Sequence, residues 1–165
     1  MTDLDMLSPR ELEVLRLFTI EALTHQQIAQ KLGVSRRTIN THITHVTSKL
    51  ERSGFAGLCQ AYLFSFPPEP VEIQDIRERM AQSFQVFTKR ELQTLALLSD
   101  GLSSKQIASR LQKSKNGHRL SIRTVEAYRR SIIAKYGRPI NHVIREFIIC
   151  RMFSCTDTMG EQIKP

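Results

Sequence analysis

Leu12, Leu15, Leu17, Ile28, Leu32, Ile39, Ile43, Val46 and Leu50 recur at helical spacing among polar residues, and the pattern returns at Leu92, Leu95, Leu97, Ile107, Leu111, Val125, Ile132 and Tyr136. Apolar positions at this period put one face of each helix into a core. The polar positions repeat as well: residues 7–50, LSPRELEVLRLFTIEALTHQQIAQKLGVSRRTINTHITHVTSKL, reappear as residues 87–136, FTKRELQTLALLSDGLSSKQIASRLQKSKNGHRLSIRTVEAYRRSIIAKY. A repeat over most of a 165-residue chain predicts two small helical units in tandem. Units of roughly 65 residues bury only modest cores, so contact between them bears on stability.

Capping signals mark the predicted helix starts. Ser8 with Glu11 and Thr88 with Glu91 form S/T-x-x-E boxes opening the first helix of each unit, and Thr24 with Gln27 and Ser103 with Gln106 open the second. Ser35 and Ser121 stand as N-caps of the third. A fourth helix follows in each unit, Phe55 to about Phe66 and Asn141 to about Phe153. The first of these, within FAGLCQAYLFSF, is uncharged on all sides, which predicts burial on two faces, against the other unit or another chain. FPPEP at 66–70 breaks the chain. Val71 to Gln85 then reads as an amphipathic connecting helix with Ile73, Ile76, Met80 and Phe84 on one face. The expected organisation is an all-α chain: a first unit at 1–66, a linker and connecting helix at 67–86, a second unit at 87–155, and a patternless tail at 156–165 expected to be mobile.

The repeats differ in length. Glu11 to Ile28 spans 17 positions and Glu91 to Ile107 spans 16, whereas Ile28 to Thr38 spans 10 and Ile107 to Thr124 spans 17. The second unit therefore carries a seven-residue insertion, near KSKNGHR, before its third helix.

Charge sharpens this picture. The formal net charge is +8, and between Lys113 and Arg138 eight Lys or Arg face one acid, Glu126. From Lys31 to Arg52 five basic residues face Glu51 alone. Basic charge concentrated around the third helices favours a polyanionic partner. Three cysteines, Cys59, Cys150 and Cys155, form no CxxC pair and fit a reducing cytoplasm, with Cys150 and Cys155 read as packing residues. The acidic start MTDLDML shows no signal-peptide pattern and no apolar run is long enough for a span, so the expectation is a cytoplasmic, nucleoid-associated protein with no membrane partner.

A short helix, a tight turn containing Gly33 and a capped third helix with a polar outer face form a helix-turn-helix, the arrangement that lets a helix enter the DNA major groove. With Ile39, Ile43, Val46 and Leu50 facing inward, Asn40, Thr41, Thr44 and Ser48 face outward. Asn can bond adenine at N6 and N7, and Thr offers a hydroxyl or a methyl contact. These residues resemble the LuxR-type helix-turn-helix family, also called the GerE or NarL/FixJ type. The resemblance lies in LSPRELEVLRL and QQIAQKLGVSRRTINTHITHVTSKL, and in FTKRELQTLALLSDGLSSKQIA with SIRTVEAYRRSIIAKYG. It covers both repeats and, more weakly, both fourth helices.

The resemblance implies two tandem four-helix domains whose third helices read bases and whose fourth helices commonly dimerise. Carried over by position, it places base contacts at Asn40, Thr41 and Thr44, and at Glu126, Ala127 and Arg130. Backbone contacts fall on Arg36, Thr38 and Lys49, and on Ile122, Thr124 and Lys135. Neighbouring charges add Arg37, Arg123 and Arg129 and the insertion's Lys113, Lys115 and Arg119. Family members usually carry one such domain behind a sensor; this chain has two. Arg129 replaces the apolar Ile43 position, and the LGVS turn has no counterpart in the second unit. The implied function is a bacterial sequence-specific transcriptional regulator whose units read two half-sites of double-stranded DNA.

Other readings have less support. The apolar fourth helices could instead hold another regulator, making the chain an antagonist or co-regulator, or could form a homodimer. A sigma-like factor bound to RNA polymerase lacks a second sigma domain. His42 and His45 have no carboxylate or thiol close in sequence to complete a metal site, so neither metal nor cofactor is expected. No phosphate-cradling glycine loop, HExxH or nucleophile elbow is present to suggest an enzyme.

Overall fold

A computed structural model of the chain describes residues 3–111 and 120–153. Lys113, Lys115 and Arg119 of the insertion, and the C-terminal tail with Cys155, lie outside the described residues. A 3-10 turn at Asp3–Met6 precedes α1 (Pro9–Thr19), α2 (His25–Leu32), α3 (Arg36–Leu50) and α4 (Gly54–Ser65). The helix α5 (Pro70–Phe84) leads into α6 (Lys89–Ser99), α7 (Ser104–Arg110), α8 (Ile122–Tyr136) and α9 (Ile140–Met152). No strand occurs among the described residues.

All four capping boxes form. Ser8, Thr24, Thr88 and Ser103 accept from the amides of Glu11, Gln27, Glu91 and Gln106, whose side chains return to the cap amides. Ser35 and Ser121 accept from the amides of Thr38 and Thr124. Each such cap contributes about 0.5–2 kcal/mol. The third helices end alike but at different cost, since Gly137 has φ 76° and its counterpart Glu51 has φ 50°. A residue with a Cβ is strained in this left-handed region.

The first unit is held by two adjoining apolar clusters. One joins Leu15, Val46, Leu50 and Leu58 with Leu4 of the initial turn; the other joins Val14, Leu17, Ile28, Ala29 and Ile39. The second unit repeats this with Leu95, Ile107, Val125 and Ile132, closed by Val143, Ile144, Ile148 and Ile149 of α9.

α4 is buried on two faces and belongs to both units. Leu58 packs into its own unit, while Ala56, Cys59 and Leu63 join the cluster of the second. α4 and α9 are in direct contact, as are α5 and α9. Polar contacts cross the seam in approximately reciprocal fashion. From α4, Gln60 Nε2 donates to the carbonyl of Ser99 at 2.9 Å, at the end of α6. From α9, Arg145 donates to the carbonyl of Ile20, the C-cap of α1, and reaches Glu72 of α5 at 3.1 Å.

The connecting helix is a packed element. Ile76 and Met80 are buried, and Ile73 and Phe84 lie against the second unit's cluster. Arg79 of α5 and Arg138 each approach Glu146 of α9 at 3.1 Å, and Tyr136 donates its hydroxyl to the same carboxylate. Glu146 is 1% exposed, so these donors supply the solvation it loses on burial. Burial, and then the bond to Glu146, push the Tyr136 hydroxyl well above its usual range.

Two outcomes test this account. Glu51→Gly should stabilise the protein by about 1 kcal/mol, read as a shift in the urea midpoint, because the left-handed φ then carries no Cβ penalty. Burial in the seam pushes the Cys59 thiol up to about 12, with the charge of Arg145 pulling the other way. Its alkylation at neutral pH should therefore follow the parting of the seam and cease in native protein. Rapid labelling of native Cys59, located by mass spectrometry, would place α4 wrongly.

Candidate nucleic-acid interface

Each helix-turn-helix is set by contacts from the helix preceding it. Arg10 of α1 reaches the carbonyl of Leu32, at the end of α2, at 3.4 Å, and Arg90 of α6 reaches the carbonyl of Leu111 at 3.3 Å. A cation there complements the carbonyl end of a helix. The adjacent residues Glu11 and Glu91 are buried and turn to the third helices. Glu11 Oε2 lies 2.7 Å from Lys49 Nζ, and Glu91 Oε2 lies 2.7 Å from Lys135 Nζ. Ser131 of α8 also donates to Glu91, at 2.6 Å. The Arg-Glu dipeptide of each first helix thus fixes the second helix through one residue and the third through the other.

Between α2 and α3, Gly33 at φ 65° makes the tight turn and Val34 N donates to the carbonyl of Ala29 at 3.0 Å. The outer row of α3 is exposed: Arg36, Arg37, Asn40, Thr41 and Thr44, with Thr38 half-buried beside the cap. Thr41 donates its hydroxyl to the carbonyl of Arg37 at 3.1 Å, and Thr44 to that of Asn40 at 2.9 Å. With their protons directed into the helix, these threonines present oxygen lone pairs and methyl groups outward. Ser35, Arg37, Thr38, Thr41, His42 and His45 line one shallow open groove. No cluster of three or more metal-ligating side chains occurs among the described residues.

In the second unit Arg123, Ala127 and Arg130 are exposed on α8, and Ile122 and Thr124 stand at its start, Ile122 exposed and Thr124 half-buried. Glu126 is half-buried and accepts from Ser104 Oγ, with Arg129 Nη1 3.4 Å away. Of the cations expected along a phosphate path, Lys49, Lys135 and Arg129 are each partnered within the protein, while Arg36, Arg37, Arg123 and Arg130 are exposed. Charge count alone does not separate these two groups. His25, which no pattern in the sequence singles out, places its Nδ1 2.7 Å from Asn40 Oδ1.

The family model of the luxR family of bacterial regulatory proteins matches residues 5–64 and 85–138, more than half of the chain and both helix-turn-helix units. The chain belongs to this family. The family model falls on both repeats. A protein of Mycobacterium tuberculosis named "Putative HTH-type transcriptional regulator" is 50% identical over 44 residues, covering 27% of this chain and 5% of that protein. One of the same name in Mycobacterium bovis matches to the same extent. A UPF0251 protein of Vibrio parahaemolyticus is 36% identical over 61 residues, covering 37% of this chain and 59% of that protein. The chain thus spans only part of the length of these relatives. No solved structure matches it.

The glutamates of the family's Arg-Glu pairs make acid stability predictable. The bond from Lys49, with the amide of Ser8, outweighs burial and holds Glu11 at about 2. For Glu91 burial is the largest influence and raises the carboxyl, but Lys135, Ser131 and the amide of Thr88 together bring it to about 2. In the unfolded chain both titrate near 4.5. Their contribution is therefore complete above that value and is lost as pH falls from there towards 2. Glu11→Gln or Glu91→Gln should cost about 1–3 kcal/mol at neutral pH and flatten this acid limb. Urea unfolding at stepped pH checks both, and unchanged curves would refute the assignment.

Proposed function

We propose that this regulator binds double-stranded DNA in a sequence-specific manner, each helix-turn-helix entering the major groove at one of two half-sites. The two reading units are taken as residues 1–66 and 87–155, joined through 67–86. The observation that carries the reading is the exposed, uncharged row Asn40, Thr41 and Thr44 on a capped α3, flanked by exposed Arg36 and Arg37. Direct readout needs this combination, with hydrogen-bonding groups and methyls facing base edges and cations lying beside them for phosphates.

In the first unit Asn40, Thr41 and Thr44 contact bases, while Arg36, Arg37, Thr38 and Lys49 lie along the backbone. In the second, Glu126, Ala127 and Arg130 face bases, with Arg123, Thr124, Arg129 and Lys135 and the insertion's Lys113, Lys115 and Arg119 on phosphates. Because Glu126 differs from Asn40 in hydrogen-bonding character, the half-sites are unlike. The α4–α9 seam lets one chain do what single-domain relatives achieve by pairing, since the covalent link supplies a high local concentration of the second reader. The same seam weakens the reading as an antagonist docking through its fourth helices, because those faces are turned on each other. Such a protein works at the nucleoid.

Selection of bound duplexes from a randomised pool at physiological salt should enrich two spaced, unlike half-sites. Asn40→Ala should cost about 1–3 kcal/mol at one base pair only. Arg37→Ala should weaken all duplexes alike and reduce the salt slope by about one. Absence of any enriched motif from folded protein would overturn the reading, and equal losses on selected and random DNA for Asn40→Ala would overturn that residue's role.

A further inference from the structure

In both units the residue that opens the second helix is bonded to the same position of the third. His25 begins α2, and its Nδ1 lies 2.7 Å from Asn40 Oδ1; Ser104 begins α7 and donates its hydroxyl to Glu126 Oε1. His25 and Ser104 each follow the N-cap of their helix, and Asn40 and Glu126 each lie five positions after the cap serines Ser35 and Ser121. The two bonds therefore occupy equivalent places in units that use different chemistry to make them. Neither caps a helix terminus, and none of the four side chains is buried in a core. Their effect falls on the orientation of the side chain at the outward position of the third helix.

We propose that His25 and Ser104 are positioning residues that set which hydrogen-bonding edge Asn40 and Glu126 turn to a base pair, and so fix what each unit recognises. This rests on the reading of α3 and α8 as base-reading helices. A free asparagine amide can turn over and exchange its donor and acceptor ends. An amide oxygen carries no proton, so His25 must donate from Nδ1–H, and its ring is braced by Phe18 with centroids 5.3 Å apart. This bond uses one lone pair of Oδ1, leaving the second lone pair and the amide donors for the N6 and N7 edge of an adenine. In the second unit Ser104 and Arg129 both address Oε1 of Glu126, and Arg129 Nη1 also lies 3.1 Å from Ser104 Oγ. The arrangement leaves Oε2 as acceptor for a cytosine amino group and offsets charge that would repel phosphate.

The test compares the full chain with His25→Ala, His25→Asn, His25→Gln and Ser104→Ala by selection from randomised duplexes, with affinity for random duplex measured in parallel. Ordering one side chain in advance is worth about threefold to tenfold in binding. His25→Ala should flatten preference by that factor at the one base pair that Asn40→Ala also flattens, leaving random-duplex affinity unchanged. His25→Asn, which can return a donor to the Nδ1 position, should restore the preference, and His25→Gln, whose amide sits nearer the Nε2 position, should not. Ser104→Ala should flatten a different base pair.

Uniform loss on all duplexes for His25→Ala would make His25 a phosphate contact and overturn the proposal. Intact preference would overturn it too. If wild-type protein enriches no motif, the base-reading assignment fails instead, and positioning is judged in free protein by the side-chain amide protons of Asn40 in NMR spectra. A wide separation kept in His25→Asn and collapsed in His25→Ala supports positioning; an unchanged separation in His25→Ala refutes it.

Discussion

The structure depends on one buried carboxylate in each unit. Glu11 and Glu91 close the capping box of their own helix with one oxygen and hold a lysine at the far end of the third helix. A carboxylate nearly excluded from water is tolerated only when its acceptor sites are filled, and here the fillers come from two helices distant in sequence. The bond that removes the burial cost therefore also sets the angle between the first helix and the third. Arg10 and Arg90, one residue earlier, hold the remaining helix of the motif, so an adjacent pair of charges carries the geometry of three elements.

That economy explains how two small cores act as one body. The apolar surface of α4 is divided between the units, with Leu58 facing home and Cys59 and Leu63 facing away. α5 adds a second attachment through Arg79 and Glu146, so the segment between the repeats is packed along much of its length. The two third helices are consequently carried on a common frame.

Much of this was legible in the sequence because capping is local: a serine or threonine and the residue three places on suffice to mark a helix start. The two-faced burial of α4 was legible because a helix without charged residues and rich in apolar ones has little to give to water. The roles of Arg10 and Arg90 were not, since each depends on the carbonyl end of a helix more than 20 residues away. His25 and Ser104 escaped for a related reason, standing where a helix-start residue is ordinarily solvated. No local pattern marks Glu146 as buried, and only the meeting of Arg79, Tyr136 and Arg138 offsets the cost of its burial. Glu51 and Ala22 adopt left-handed backbone that glycine would mark in advance, as it does at the corresponding Gly137 and Gly101.

Cys59 and Arg145 hold equivalent places in the fourth helices of the two repeats, and across the seam the charge of Arg145 acts on the Cys59 thiol. A two-fold pairing of second units would set guanidinium against guanidinium at that place, and a pairing of first units would lose the arginine bond to the end of α1. The seam within the chain is thus built from two unlike surfaces, each bearing at this place a group its counterpart lacks.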